Sequence, residues 1–167
     1  MNICAECHKK NRGCCQLIAG NTDSMHGLSQ YEIDRISSTM KLNESDFICH
    51  DTVKPEVMNG FRKLDSLFDK LIPQRERARL KIIDNACVFL KPDGCSLPME
   101  ARPYYCRLYP FWFNRDSHLI VIRSRFCLAQ EQSLSVVSLL EAIGTTEAEL
   151  LTLYRELQHA AGNPKES

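Results

Sequence analysis

A chain of 167 residues is long enough to bury roughly two-thirds of its unfolded surface, and 44% hydrophobic with 25% charged residues excludes a disordered or fibrous protein. Lysine plus arginine equals aspartate plus glutamate at 21 each, so no net positive field draws phosphate backbones or anionic lipid, and nucleic acid is disfavoured as a partner. Met1-Asn2-Ile3-Cys4 opens neither a basic leader nor a signal-length apolar stretch, and no run approaches the roughly 20 residues that cross a bilayer, so a cytoplasmic protein without a membrane partner is expected.

The first twenty residues are rich in Cys, Lys, Asn and Gly without periodicity, which suits a loop wrapped around ions. Ser29-Gln30-Tyr31-Glu32 is a capping-box pattern that predicts a helix of about ten residues carrying Ile33 and Ile36, with Glu32 read as part of the cap. From Lys54 to Leu71, apolar residues at spacings of three and four (Val57, Phe61, Leu64, Leu67, Phe68, Leu71) predict one helix that Pro73 ends. Arg75, Arg77, Arg79 and Lys81 form a basic stripe, read as a solvated face. Short apolar bursts between Leu80 and Leu90, then Pro92-Asp93-Gly94, predict one or two strands and a turn; His118 to Ile122 predicts another strand.

The aromatic segment from Tyr104 to Phe113, with Trp112 inside it, is expected to pack in the core. Ser133 to Ile143 places Leu134, Val137, Leu140 and Ile143 on one helical face and stops at Gly144; Thr146 to Glu149 is a second capping box, opening a helix that runs to about Ala161. The fold expected is α+β, mostly α: a small single domain over 1–167 of about four helices, a short antiparallel sheet and cysteine-rich metal-binding loops. A metal motif spans 1–127 and a helical pair spans 133–161.

Nine cysteines, an odd number in a chain expected in a reducing compartment, fit a disulfide framework poorly and metal ligation well. Cys4 and Cys7 form a CxxC whose tight turn aims two sulfurs at one ion, about 2.3 Å away for zinc. Cys14 and Cys15 are adjacent, and meet one ion only through a turn. Cys87, Cys95, Cys106 and Cys127 supply four more thiols near turn residues or strand ends, making two tetrahedral sets in all. Cys49 stands apart and is read as a small hydrophobe. His8, His26 and His50 are alternative ligands that could replace a thiol. Arg102 and Arg107 bracket Cys106 and are candidate donors to the ligand sulfurs.

Taken together, Cys4-Ala5-Glu6-Cys7 leading to Cys14-Cys15, Cys87-Val88-Phe89-Leu90, Asp93-Gly94-Cys95 and Arg102-Pro103-Tyr104-Tyr105-Cys106-Arg107-Leu108-Tyr109-Pro110-Phe111 resemble the YkgJ family of bacterial-type cysteine-cluster proteins, described as zinc- or iron-chelating. The helix from Leu28 to Ile36 resembles that family's segment after its double cysteine, so the likeness covers most of residues 1 to 127. One departure is visible: six residues separate Cys7 from Cys14, where the family more often has two. The resemblance implies chelation of zinc, or of iron or an iron-sulfur cluster. It implies little about a reaction, a substrate or a protein partner.

Cys4-Ala5-Glu6-Cys7-His8 also spells the c-type haem signature, but haem would leave the remaining cysteines unexplained. HExxH, GxSxG, a glycine-rich phosphate loop and the histidine-glutamate half of the zinc-deaminase pattern are all missing. Three readings follow: a colourless zinc protein whose ions staple loops onto helices, an iron-sulfur protein for redox or sensing, and a cluster-dependent enzyme related to flagellin lysine methylases, which share a similar cysteine pattern. The first is preferred, because an all-cysteine set more often closes a site than leaves one open for catalysis.

Overall fold

In the computed structural model, which describes residues 6–7, 14–17, 22–124 and 127–162, Ser29 caps the first helix, α1 (Gln30–Met40). Its hydroxyl accepts from the Glu32 backbone while the Glu32 carboxylate accepts from Ser29 N, the reciprocal capping box. Lys41 ends the helix in the left-handed conformation. A single turn, α2 (Glu44–Phe47), leads into β1 (Ile48–Thr52).

The expected helix from Lys54 to Leu71 is two helices, α3 (Pro55–Leu64) and α4 (Phe68–Leu71). Asp65 breaks it. Its backbone is extended, and its buried carboxylate accepts from Leu67 N, the Trp112 indole and the Tyr154 hydroxyl, partners that an unbroken helix would not present together. A 3-10 turn at Pro73–Arg75 follows.

Of the basic stripe, Arg77 and Arg79 lie on β2 (Glu76–Leu80), antiparallel to β1, while Arg75 ends the 3-10 turn and is exposed. The two strand residues are not solvated. Arg77 is 3% exposed and forks onto Asp51 directly across the ladder, while Arg79 donates to the same carboxylate and Arg77 also donates to the Met25 carbonyl. Burial by itself would push the Asp51 carboxyl up; the two guanidinium groups reverse that and hold it below the usual range.

Two tight hairpins come next. In β3 (Ile82–Ile83) and β4 (Ala86–Cys87) the loop residues Asp84 and Asn85 both have positive φ, as a two-residue primed turn requires. In β5 (Leu90–Lys91) and β6 (Gly94–Cys95) the bend is Pro92-Asp93, with Gly94 at φ 112°. A 3-10 turn at Met99–Ala101 precedes α5 (Tyr104–Leu108). A cis Tyr109–Pro110 bond joins it to β7 (Phe111–Phe113), paired with β8 (Leu119–Val121). Among the described residues the strands therefore make four separate two-stranded ladders rather than one sheet.

After Cys127 the chain forms α6 (Leu128–Gln132), a turn the sequence patterns did not predict, then α7 (Val136–Ile143) and α8 (Glu147–Gly162). Of the face expected of α7, Leu134 is 102% exposed and Val137 is also exposed, whereas Leu140 and Ile143 are half-buried against the aromatic core and Leu139 is buried beside them. Eight α-helices stand among the described residues, four of them single turns, and the architecture is α+β. None is long and apolar enough to cross a membrane among the described residues.

The interior has two parts. A mostly aliphatic cluster gathers Leu28, Ile33, Ile36, Phe47, Ile48, Leu80, Phe89 and Leu97 between α1 and the hairpins. A larger one packs Phe68, Phe111, Trp112, Phe113 and Tyr154 with residues of α3, α7 and α8, as expected of the aromatic segment. Trp112 stacks on Phe68 at 5.4 Å and meets Tyr154 edge-on at 5.6 Å.

Candidate metal centre

Each of the two hairpins ends on a cysteine, Cys87 opposite Ile82 and Cys95 opposite Leu90, because a two-residue turn returns the chain with its register set. The double cysteine is stapled to the first of them. Cys87 N donates to Cys15 O at 2.8 Å, Gln16 bridges Ala86, and Leu17 N donates to Asn85 O at 2.7 Å. Cys15 thus reaches Cys87 by backbone pairing.

Cys106 lies in α5, whose position Glu32 fixes. One carboxylate oxygen accepts from the backbone and hydroxyl of Ser29, the other from Tyr104 N at 2.9 Å, so a single buried side chain joins the N-termini of α1 and α5. The capping expectation holds, and the carboxylate also faces the cysteines. Burial pushes the Glu32 carboxyl up, against the hydrogen bonds from Ser29 and Tyr104.

Arg35 reinforces the joint, donating to Arg102 O and lying over the Tyr104 ring at 4.6 Å. Among the described residues neither Arg102 nor Arg107 donates a hydrogen bond to sulfur. Arg102 donates to the carbonyls of Leu97 and Cys95, and Arg107 lies over Tyr104 at 5.9 Å; a guanidinium can serve a thiol site by organising the loops around it.

Cys127 is the N-cap residue of α6, and Cys7 is buried. Cys4 and His8 lie outside the described residues.

The thiols are electrostatically linked. The Cys15 thiol hydrogen-bonded to Cys14, and then burial, push Cys14 well above the usual range; charge on Cys15 adds to this while Arg102 opposes it. Burial raises Cys87 to about 11, with Cys95 and Cys14 adding to it. Burial also raises Cys106 well above the usual thiol range, and Cys14, Cys87, Cys95 and Glu32 all contribute. Burial also raises Cys127, which senses Cys7 and Cys14. Cys7, Cys14, Cys15, Cys87, Cys95, Cys106 and Cys127 therefore belong to one region, with Cys14 coupled to both of its sides. Among the described residues no three His, Cys, Asp or Glu side chains are close enough to hold one ion.

Cys14, Cys15, Cys87 and Cys106 line a cavity of ≈ 360 Å³ whose other walls include Glu32, His26, Tyr105 and Tyr109. Cys14 and Cys106 keep accessible surface although strongly desolvated, as expected where that surface faces a recess rather than bulk water.

Cys49 stays apart on β1, half-buried, its thiol directed to the His50 carbonyl. His50 is exposed beside Glu44. His26 is the histidine that joins the cavity. Its segment is held by Arg77 on the Met25 carbonyl and by Leu28 N on Ala78 O, and Gly27 permits the approach, since a Cβ there would stand 2.3 Å from the Leu71 carbonyl. From the sequence His26 is a substitute ligand at most, a lone histidine being more often a surface or hydrogen-bonded residue; the adjacent Gly27 is the one local feature that marks its position.

No family model, no curated protein and no solved structure matches the chain.

Proposed function

We propose that this is a metal-chelating protein of the YkgJ cysteine-cluster type, which holds zinc, or iron, through Cys4, Cys7, Cys14, Cys15, Cys87, Cys95, Cys106 and Cys127 in a reducing compartment, the cytosol. The observation that carries the reading is convergence: a turn, two hairpin ends and two helix-borne positions, far apart in sequence, bring thiols within electrostatic reach of one another. Core packing does not ask for such a gathering. The Cys15 hydrogen bond on Cys14, burial and mutual repulsion hold Cys14, Cys87, Cys106 and Cys127 protonated without a cation, and a bound metal reverses that balance by taking the thiolates as ligands.

The electrostatic links suggest how the thiols divide. Cys14, Cys87, Cys95 and Cys106 form one neighbourhood, while Cys127 with Cys7 forms a second to which the CxxC partner Cys4 belongs by spacing. The orphaned imidazole of His26 in the cavity wall is a further soft donor beside the first neighbourhood.

Protein purified without oxygen, before exposure to any chelator or affinity metal, tests this by elemental analysis and a visible spectrum. One or two zincs per chain without colour is the expected result. Iron with sulfide and thiolate-to-iron absorption assigns the same ligands to a cluster. Neither metal at useful stoichiometry overturns the reading.

A further inference from the structure

The cavity is larger than a metal ion needs, and its volume reaches the range of small-molecule pockets. Its wall is mostly apolar, with Met25, Leu28, Ile82 and Ile122 beside the rings of Tyr105 and Tyr109. Arg123 is the single lysine or arginine among the described lining residues. The segment that carries it is fixed on both sides: the Gln130 side chain donates to Ile122 O at 2.8 Å and accepts from Ser124 N at 3.1 Å, and Ile122 N donates to Pro110 O at 2.7 Å. Arg123 itself is exposed, and no ion pair or hydrogen bond takes its guanidinium among the described residues. A positioned cation that lines an apolar recess without an anionic partner has the makings of a site for an organic acid.

We propose that the cavity binds a small monocarboxylate with an aromatic or aliphatic body, its carboxylate on the Arg123 guanidinium and its body against Tyr105, Tyr109 and the aliphatic wall. The guanidinium fork matches a carboxylate, and the apolar lining gains from covering hydrocarbon. Glu32, in the same wall, does not take Arg123 for itself, because Ser29 and the Tyr104 backbone already donate to its two oxygens. That carboxylate, together with metal-bound thiolates, limits the ligand to one negative charge: the second charge of a phosphate monoester finds no further lysine or arginine in the described wall. A strongly polar body would lose its water against Met25, Leu28 and Ile82 without a partner in return.

The proposal stands beside the metal reading, and the two fail separately. The probes are 4-phenylbutanoate and 4-phenylbutanamide, similar in shape but only the first charged. They are titrated at low ionic strength into ¹⁵N-labelled full-length protein as purified, with metal content measured on the same sample. The Nε–H cross-peak of Arg123 reports the carboxylate, and the indole cross-peak of Trp112, the single tryptophan and part of the wall, reports the body.

Saturable binding of phenylbutanoate is expected, with a Kd of about 1 mM or tighter. Its preference over the amide should be about fivefold, the most that a solvent-exposed ion pair ordinarily supplies, and should narrow as salt is added. Arg123→Gln, a change at an exposed side chain, should equalise the two. No saturable shift, equal binding of both probes to the unmodified protein, or a preference that survives Arg123→Gln overturns the proposal. The last of these would put the carboxylate on a metal instead. Preferential binding that depends on Arg123, in protein that contains no metal at purification, sinks the metal reading and leaves this one standing. Metal at the expected stoichiometry with no binding of either probe does the reverse.

Discussion

The two halves of the interior are built on different principles. Around Trp112 the core is aromatic and continuous, joined by stacked rings and by the Asp65 carboxylate, which receives the indole of β7 and the phenol of α8. Around Ile36 the core is smaller and mostly aliphatic, and the hairpins resting on it contribute only two residues per strand. Two-stranded ribbons of that length are unstable without support, so they depend on neighbours and, on the proposed function, on the metal their cysteines hold. One region is stabilised by area, the other, on the proposed function, by metal cross-linking.

The largest test of that contrast is metal removal. A structural zinc site contributes on the order of 10 kcal/mol to folding. Chelation, or replacing Cys87 and Cys95 by Ser, is expected to abolish amide exchange protection in α1 and both hairpins. The Trp112 fluorescence and the protection of α8 should persist. Simultaneous collapse of both regions would show that the aromatic core does not stand alone.

The converse change is Phe68→Ala, a fully buried ring removed from the aromatic core. It should lower global stability in denaturant by about 3–5 kcal/mol and leave metal per chain unaltered in the folded fraction. Metal loss from folded protein would mean that the thiol region leans on this core more than proposed.

Glu32→Ala acts at the joint between α1 and α5. It leaves Ser29 N and Tyr104 N without their carboxylate and should cost about 1–3 kcal/mol, together with weaker metal retention measured by competition with a chromophoric chelator. A stability loss without any change in retention would confine Glu32 to capping.

The smallest effect concerns acid. The Asp51 carboxyl is held low in the folded protein by Arg77 and Arg79, so its contribution is present above the unfolded carboxylate pKa and is lost as pH falls through the folded value. Asp51→Asn should therefore lower stability near neutrality and flatten its acid limb, as followed by thermal melts from neutral to acidic pH. An unchanged acid limb would show that the ion pair adds no pH dependence.

Local elements were legible wherever a short-range signal defined them. Ser29 and Glu32 announced α1, Thr146 and Glu149 announced α8, Gly144 ended α7 in a left-handed cap, and Pro92-Asp93-Gly94 marked a turn. The inventory of cysteines was legible in the same way, whereas which of them share an ion is not fixed by their spacing. The Lys54–Leu71 pattern misled because helical periodicity continues through Asp65 although its side chain is recruited by Trp112 and Tyr154, 47 and 89 residues away. The α7 pattern was right for Leu140 and Ile143 and misled for Leu134 and Val137, because periodicity names an apolar face without saying how far along it a neighbour covers it.

The sequence alone determined which residues can cap, turn and ligate, since those properties belong to side chains and their immediate neighbours. Only the tertiary structure decided that Glu32 holds Tyr104 across 72 positions, that Arg77 is buried against Asp51, and that His26 stands unpaired in the wall of a thiol-lined cavity. Such pairings are selected by the packing of whole elements and by the need to satisfy buried polar groups, a demand that acts between distant segments and leaves no fixed spacing along the chain.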